Sequence, residues 1–293
     1  MDLRKVMLLG ACCVASAICS LGFAQKPELK FNKDKKFKIV QFTDLHVVWQ
    51  DKRSDVAFER MNQVIDEEKP DLVVFTGDMI YSKPADKNLR NVLKTVSDRK
   101  IPFAIAFGNH DHEQGMTNDE LFAAVADMPY NISVDEVPEL SGTGNCALPV
   151  KASNSNKTAA VLYCIDSHAY SQLKDVEGYD YIKYDQINWY LDRSAGFTKE
   201  NGGEPLPALA FFHIALPEYA QAASDMSACL YGIRKEVVCC PPLNTGLFTA
   251  MKQSKDVMAI FVGHDHDNDY AVYWKGILLA YGRFTGGNTE YNH

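Results

Sequence analysis

The chain has 293 residues, of which 46% are hydrophobic and 23% are charged, and its formal net charge is -8. These proportions are ordinary for a globular protein that buries a sizeable core. The negative charge gives no electrostatic reason to expect nucleic acid or an anionic membrane as a partner, and a phosphorylated substrate would need local positive charge that bound metal could supply.

The amino-terminal residues predict an export signal. Residues 1–5, which include Asp2, Arg4 and Lys5, precede an apolar run that ends at Ala24, just before the polar Gln25. We expect residues 1–24 to be a signal peptide, which makes the mature protein periplasmic or extracellular. A membrane-anchor interpretation is disfavoured by the short, interrupted run. A third interpretation is a lipoprotein processing site that ends in a lipidated Cys12.

Five cysteines remain after the predicted signal, and an odd number in an exported protein allows at most two disulfides. They are Cys146, Cys164, Cys229, Cys239 and Cys240. Cys229 could pair with Cys239 or Cys240 to close one loop. In the alternative interpretation all five are small, unreactive fillers.

The first half of the mature chain alternates strands and helices. Apolar runs predict strands at 37–42, 72–75 and 103–107, and helical periodicity predicts helices at 56–68 and 88–98. This alternation implies parallel strands joined by crossover helices. Each strand ends in a polar cluster, and the carboxyl ends of such strands are where open α/β sheets place their ligands.

The second half predicts further strands, one long helix and a hairpin. Strands are expected at 159–165, 208–212 and 259–262, a helix at 184–194, and a hairpin of 270–273 and 277–281 that turns at Lys275-Gly276. The segment from Pro217 to Gly246 is either a wall of the site or a surface excursion with a short helix at Glu218–Met226. Because no internal repeat or long linker divides the chain, we predict a single domain over residues 25–293.

Five short clusters carry the chemistry. They are Asp44-Leu45-His46, Gly77-Asp78, Gly108-Asn109-His110-Asp111, His213 and Gly263-His264-Asp265-His266, and they hold five of the eight histidines. Imidazole and carboxylate without cysteine suit a hydrolytic metal site. One such motif alone is usually a solvated turn, and a lone histidine such as His213 is usually a core residue. The order of all five is what favours a metal site.

The ordered clusters resemble the calcineurin-like metallophosphoesterase family. Its motifs D-x-H, G-D, G-N-H-D/E, a lone His and G-H-x-H build a dinuclear centre on a four-layer α/β/β/α sandwich, and the resemblance covers nearly all of the mature chain. It implies an α/β fold of this type that binds two ions of iron, zinc or manganese. One ion would be held by Asp44, His46, Asp78 and His266, and the other by Asp78, Asn109, His213 and His264. Asp78 would bridge them.

Two cations about 3.5 to 4 Å apart can bind both the phosphoryl oxygens and a water, whose lowered pKa makes hydroxide available near neutrality. His110 follows a ligand directly but lies outside the ligand set, so we predict that it donates a proton to the leaving group or stabilises its charge. Asp111 is predicted to orient the His110 imidazole.

Tyr81 is a second claimant to one metal position. Gly77-Asp78-Met79-Ile80-Tyr81 resembles the G-D-x-x-Y motif of purple acid phosphatases, whose tyrosine binds ferric iron, but those enzymes usually lack a histidine where this chain has His46. We favour His46 as the ligand and expect Tyr81 to line the pocket. Three further segments resemble a purple-acid-phosphatase-like subgroup with poorly defined substrates: His213–Tyr219, Gly263–Tyr270 and Tyr281–Arg283.

The predicted function is hydrolysis of small phosphate monoesters. His168 and Arg283 are candidates for substrate contact, because imidazole and guanidinium can pair with phosphate. A phosphodiesterase or nucleotidase with the same site is one alternative, and a metal-dependent binding protein without catalysis is another. We expect neither a nucleic-acid partner nor a stable membrane span, and the oligomeric state stays open.

Overall fold

The structure is a computed structural model that describes residues 26–292. The predicted signal peptide and the alternative lipidation site at Cys12 lie outside the described residues. Within residues 26–292, no helix is both long enough and apolar enough to span a membrane.

Ten strands and six helices form the described chain. The strands are β1 (Ile39–Phe42), β2 (Leu72–Thr76), β3 (Phe103–Ala106), β4 (Cys146–Lys151), β5 (Thr158–Cys164), β6 (Ala208–Phe211), β7 (Leu230–Arg234), β8 (Val257–Val262), β9 (Asn268–Trp274) and β10 (Ile277–Tyr281). The helices are α1 (Asp55–Glu68), α2 (Ala85–Ser97), α3 (Asn118–Val125), α4 (Tyr184–Glu200), α5 (Pro217–Ser224) and α6 (Leu247–Ser254).

The strands form two sheets. A three-stranded parallel sheet has the order β1-β2-β3, and a seven-stranded mixed sheet has the order β4-β5-β6-β8-β10-β9-β7. The parallel strands expected in the first half are therefore confirmed. In the larger sheet β5, β6, β8 and β10 are parallel, and antiparallel strands extend both edges.

Three hydrophobic clusters bind these elements into four layers. Helices α1, α2 and α3 pack on the small sheet through residues such as Met61, Leu89 and Leu121. The two sheets face each other across a second cluster that includes Val74 and Phe211. Helices α4, α5 and α6 cover the other face of the large sheet. The predicted α/β/β/α sandwich is confirmed.

The predicted hairpin is β9 and β10, which pair Trp274 with Ile277. Its turn residues Lys275 and Gly276 both have positive φ, at 49° and 88°. That pair of angles is the one a type I′ two-residue turn requires, and glycine adopts it without steric cost.

Sequence periodicity missed four short elements, namely α3, α6, β4 and β7. Of these, β7 has no continuous buried face, since Gly232 and Arg234 are exposed, so it carries no alternation to detect. Helix α3 is eight residues long, and its clearest signal is the capping box formed by Thr117 and Glu120.

Of the two interpretations of the cysteines, the one that pairs Cys229 with Cys239 or Cys240 does not hold among the described residues, where all five cysteines are free. Cys229 is exposed, and the backbone amide of Cys239 donates a hydrogen bond to the Asp265 carboxylate. Cys146 and Cys164 lie opposite each other in the β4–β5 pair and are buried, in agreement with a packing role.

Candidate metal centre

The predicted donors converge because five strands end at one side of the two packed sheets. Asp44 and His46 follow β1, Asp78 follows β2, and Asn109 follows β3. From the large sheet, His213 follows β6, and His264 and His266 follow β8. Residues far apart in sequence therefore meet at the carboxyl ends of strands from both sheets.

The donor atoms form two candidate groups, each with ligand atoms within 4.8 Å of one another. The first metal group consists of Asp44, His46 and His266, and the second metal group of Asp78, His213 and His264. All six residues are buried. Two such groups match the number of ions expected from the sequence, and the structure does not determine their identity.

Asp78 belongs to the second metal group and also approaches the first. Its Oδ2 atom is 3.1 Å from His213 Nε2 and 3.7 Å from His46 Nε2. Asn109 Oδ1 is 3.1 Å from the same nitrogen of His213, which places the amide beside the second metal group. Bridging by Asp78 and ligation by Asn109, which the resemblance implies, stay predictions.

Burial and mutual charge set the protonation of the donors. Burial lowers the pKa of His46 to about 4 and that of His264 to about 3, so both imidazoles are neutral near pH 7. Burial alone would lower the pKa of His213 as well, but the charges of Asp78 and Asp44 outweigh it and raise that pKa to about 10. The two carboxylates are ionised, since nearby histidines hold the pKa of Asp78 below its usual range and that of Asp44 at about 2 in spite of burial.

The orientation of the histidines suits metal ligation. His213 Nδ1 is 2.7 Å from the carbonyl oxygen of Thr76, and because a carbonyl only accepts, Nδ1 carries the proton and Nε2 faces Asp78. His264 Nε2 is buried and has no hydrogen-bond partner among the described residues. A buried nitrogen without a partner is costly unless a ligand satisfies it, so the residues present fit a metal ion.

The backbone of the ligand loops is unusual. Four donors adopt left-handed conformations, with φ of 53° at Asp44, 46° at His46, 52° at Asp78 and 78° at His264. Such angles are uncommon for residues other than glycine, and they concentrate at functional sites where the surrounding fold imposes them. The close approach of the loops also requires Gly108, where a Cβ atom would collide with the Asp78 carboxylate.

Asp111 does not have the predicted role. Its carboxylate accepts hydrogen bonds from the backbone amides of Asp78, Met79 and Ile80 at 2.8 to 3.2 Å, and from that of Gly108 at 2.8 Å. The side chain therefore ties the loop after β2 to the loop after β3. Burial and the charge of Asp78 raise its pKa to about 7 in spite of these amide donors.

The His110 imidazole is paired with Glu113 instead. His110 Nδ1 lies 2.6 Å from Glu113 Oε2, and the His110 ring centroid is 5.5 Å from that of His46. The backbone amide of His110 donates to Asp78 Oδ1 at 2.8 Å, which anchors the residue beside the metal groups. Glu113 escaped the sequence analysis, although its i+3 spacing from His110 in a tight loop was an available signal.

Tyr81 lies against the site without joining either metal group. Its ring packs edge-on against His46 and His110, with centroid distances of 5.1 and 5.3 Å. Burial and a hydrogen bond to the Glu290 carboxylate raise the pKa of its phenol to about 12. The phenol is therefore protonated near neutrality, in keeping with the expected pocket-lining role.

The two candidate substrate contacts lie in different surroundings. His168 lines an open cavity of about 500 Å³, where its Nε2 is 2.8 Å from Gln186 Oε1. Tyr170 lines the same cavity, and its hydroxyl is 3.4 Å from Asn109 Nδ2. Arg283 is exposed and donates to Asn292 at 3.1 Å. Substrate contact by either residue stays a prediction.

Comparison with known proteins identifies relatives along most of the chain. Residues 37–268 match the family model described as calcineurin-like phosphoesterase. The chain is 34% identical to the Arabidopsis thaliana protein named "Probable inactive purple acid phosphatase 29", over 96% of this chain and 79% of that protein. It is 30% identical to "Probable inactive purple acid phosphatase 14" of the same plant, over 94% and 77%.

A yeast relative has a different name. The phosphatase DCR2 of Saccharomyces cerevisiae is 36% identical over 81% of this chain, which spans 45% of the yeast protein. Among solved structures, a dimetal phosphatase from Danio rerio superposes with a TM-score of 0.57 at 11% identity, covering 85% of this chain and 88% of that one. This last likeness concerns the fold alone.

Proposed function

Because this chain belongs to the calcineurin-like phosphoesterase family, we propose that it is a two-metal hydrolase of small phosphate monoesters. The observation that carries the proposal is the buried double donor set, in which three ligand residues form each group and Asp78, a member of the second group, also lies 3.7 Å from His46 of the first. Such a set supports more than a structural ion, because structural zinc sites are usually single, closed and rich in cysteine.

When bound, two such ions supply Lewis-acid activation of water and stabilisation of charge on the phosphoryl oxygens. The residues of the chain provide the rest. Asp44 and Asp78 offset the positive charge of the ions, and His110 donates a proton to the departing oxygen. Glu113 holds the His110 ring through Nδ1, which leaves Nε2 for the leaving group.

The test is turnover by purified, metal-loaded protein on p-nitrophenyl phosphate and on its bis-ester. We expect the monoester to be the better substrate, and the cavity beside Asn109 to accept the alcohol part of the ester. A preference for the bis-ester would instead support the phosphodiesterase or nucleotidase alternative.

A second candidate function is metal-dependent binding without catalysis. It is favoured by the names of two relatives, both called probable inactive purple acid phosphatases. The His110–Glu113 pair argues against it, because metal binding alone does not need a positioned proton donor. Loaded protein that holds two ions and shows no turnover on any phosphate ester would establish this second function.

We also propose that the protein is exported. The support is the sequence of residues 1–24, with its charged start and its apolar run that ends at Ala24. Mass spectrometry of the mature protein should find Gln25 as the first residue. A diacylated Cys12 would establish the lipoprotein alternative.

A further inference from the structure

One short segment near the end of the described chain contacts the first metal group from outside. The Thr289 hydroxyl donates to the backbone carbonyl of His46 at 2.6 Å. The backbone carbonyl of Tyr291 accepts from His266 Nδ1 at 2.8 Å. Between them lies Glu290, whose carboxylate interacts with the phenol of Tyr81. Three consecutive residues therefore engage both histidines of this group and their aromatic neighbour.

The bond to Tyr291 determines how His266 presents its ring. A carbonyl oxygen can only accept, so His266 Nδ1 carries the proton and the lone pair of a neutral ring is on Nε2. That nitrogen is the one that faces the group, at 3.0 Å from His46 Nε2 and 3.6 Å from Asp44 Oδ1. The Tyr291 ring also stacks on the His266 ring, with centroids 4.2 Å apart and planes 20° apart.

The two metal groups are supported unequally. In the second group, the carbonyl that orients His213 belongs to Thr76, which ends a core strand and is fully buried. In the first group, the equivalent carbonyl belongs to Tyr291, which is 40% exposed and lies outside both sheets. The Tyr291 hydroxyl is anchored by Glu236 Oε2 at 3.2 Å.

We propose that segment 289–291 positions the ligand histidines of the first metal group. The affinity of the first group for its metal ion therefore depends on this segment, and that of the second group does not. The physical basis is that partners which orient a ligand histidine typically contribute 10- to 100-fold to metal affinity. The proposal rests on the metal site of the proposed function but does not require turnover. It is tested without substrate, so failure of hydrolysis and failure of this proposal are distinguishable.

The test is titration of metal-free protein with zinc against a chromogenic chelator. Tyr291→Ala should weaken the binding of one of the two zinc ions by roughly 10- to 100-fold and leave the binding of the other unchanged. Tyr291→Phe retains the stacked ring and the backbone path, so both affinities should stay within about threefold of wild type. The matched control is Tyr184→Ala on helix α4, at a tyrosine that is also exposed.

A double-variant comparison assigns the weakened ion. If Tyr291 acts through His266, Tyr291→Ala should add no further loss to His266→Ala. Thr289→Val removes only a hydroxyl and should weaken the same single ion by a smaller factor, which provides a test if Tyr291→Ala folds poorly. Equal weakening of both ions, unchanged zinc affinity in both Tyr291→Ala and Thr289→Val, or additive losses in the double variant would overturn the proposal.

Discussion

The pairing of His110 with Glu113 predicts two graded losses of activity. Glu113→Gln removes the charge that faces the His110 imidazole across 2.6 Å. The side chains are 26% and 36% exposed, so the interaction lies between a buried charge-assisted hydrogen bond and a screened surface pair. We take its contribution as about 1 kcal/mol, which corresponds to about a fivefold fall in kcat. His110→Ala removes the proton donor itself and should lower kcat by roughly 10² to 10⁴.

The assay is kcat for a series of phosphate monoesters that runs from nitrophenyl to alkyl leaving groups. Both losses should shrink for nitrophenyl phosphate, because a departing oxygen that is already stable needs little protonation. Both variants should retain two metal ions, and Glu59→Gln on the exposed face of helix α1 is the control. Equal slowing of good and poor leaving groups, or loss of metal from His110→Ala, would refute the proton-donor role.

Asp78→Asn should lose both ions and all turnover together, because the carboxylate faces both metal groups, and elemental analysis of the purified variant measures this. Gly108→Ala should likewise reduce metal content, since its new methyl group meets the Asp78 carboxylate. By contrast, a methyl group at Gly196 on helix α4 has open space, so Gly196→Ala should raise the free energy of unfolding, measured by urea denaturation, by up to about 1 kcal/mol. The affinity for metal should rise about tenfold per pH unit from pH 6 to 8, because His213, whose pKa is raised, must release a proton to bind a metal ion. Competition with a chelator whose own pH dependence is known measures this affinity, and a flat profile would contradict the prediction. An iron-loaded sample should show no visible tyrosine-to-iron charge-transfer band, and Tyr81→Phe should leave its spectrum unchanged. The reason is that the Tyr81 phenol remains protonated beside the Glu290 carboxylate.

The sequence was most informative where local patterns and strand ends coincide. Apolar runs ending in Asp44, Asp78 and Asn109 predicted both the parallel sheet and the side where its donors lie. Strand order in the larger sheet was not predictable, since β7 and β9 pair by contacts that leave no periodic signal in residues 230–234. The hairpin turn at Lys275-Gly276 was predictable because a glycine between two strand-like runs suits the positive φ, 88° at Gly276, that such a turn requires.

The error at Asp111 and the omission of Tyr291 share one physical cause. Proximity in sequence suggested that Asp111 would contact its neighbour His110, but the carboxylate turns inward to amides of residues 78–80. Tyr291 lies 25 residues from His266, and nothing in the sequence between them indicates that its carbonyl faces that ring. Contacts made by backbone atoms are independent of side-chain identity, so residue patterns do not reveal them.

The hydrogen bonds of Asp111 bear on the order in which this protein is assembled. Four amides from two loops are gathered by one buried carboxylate, so the cradle around Asp78 is shaped by the polypeptide itself. We expect the chain to fold before it binds metal, so that most of the conformational entropy of the ligand loops is lost during folding and not when an ion binds. A preformed cradle of histidine and carboxylate discriminates weakly among first-row metals. The supply of metals in the compartment where the chain folds, more than the chain itself, then decides which pair of ions it carries.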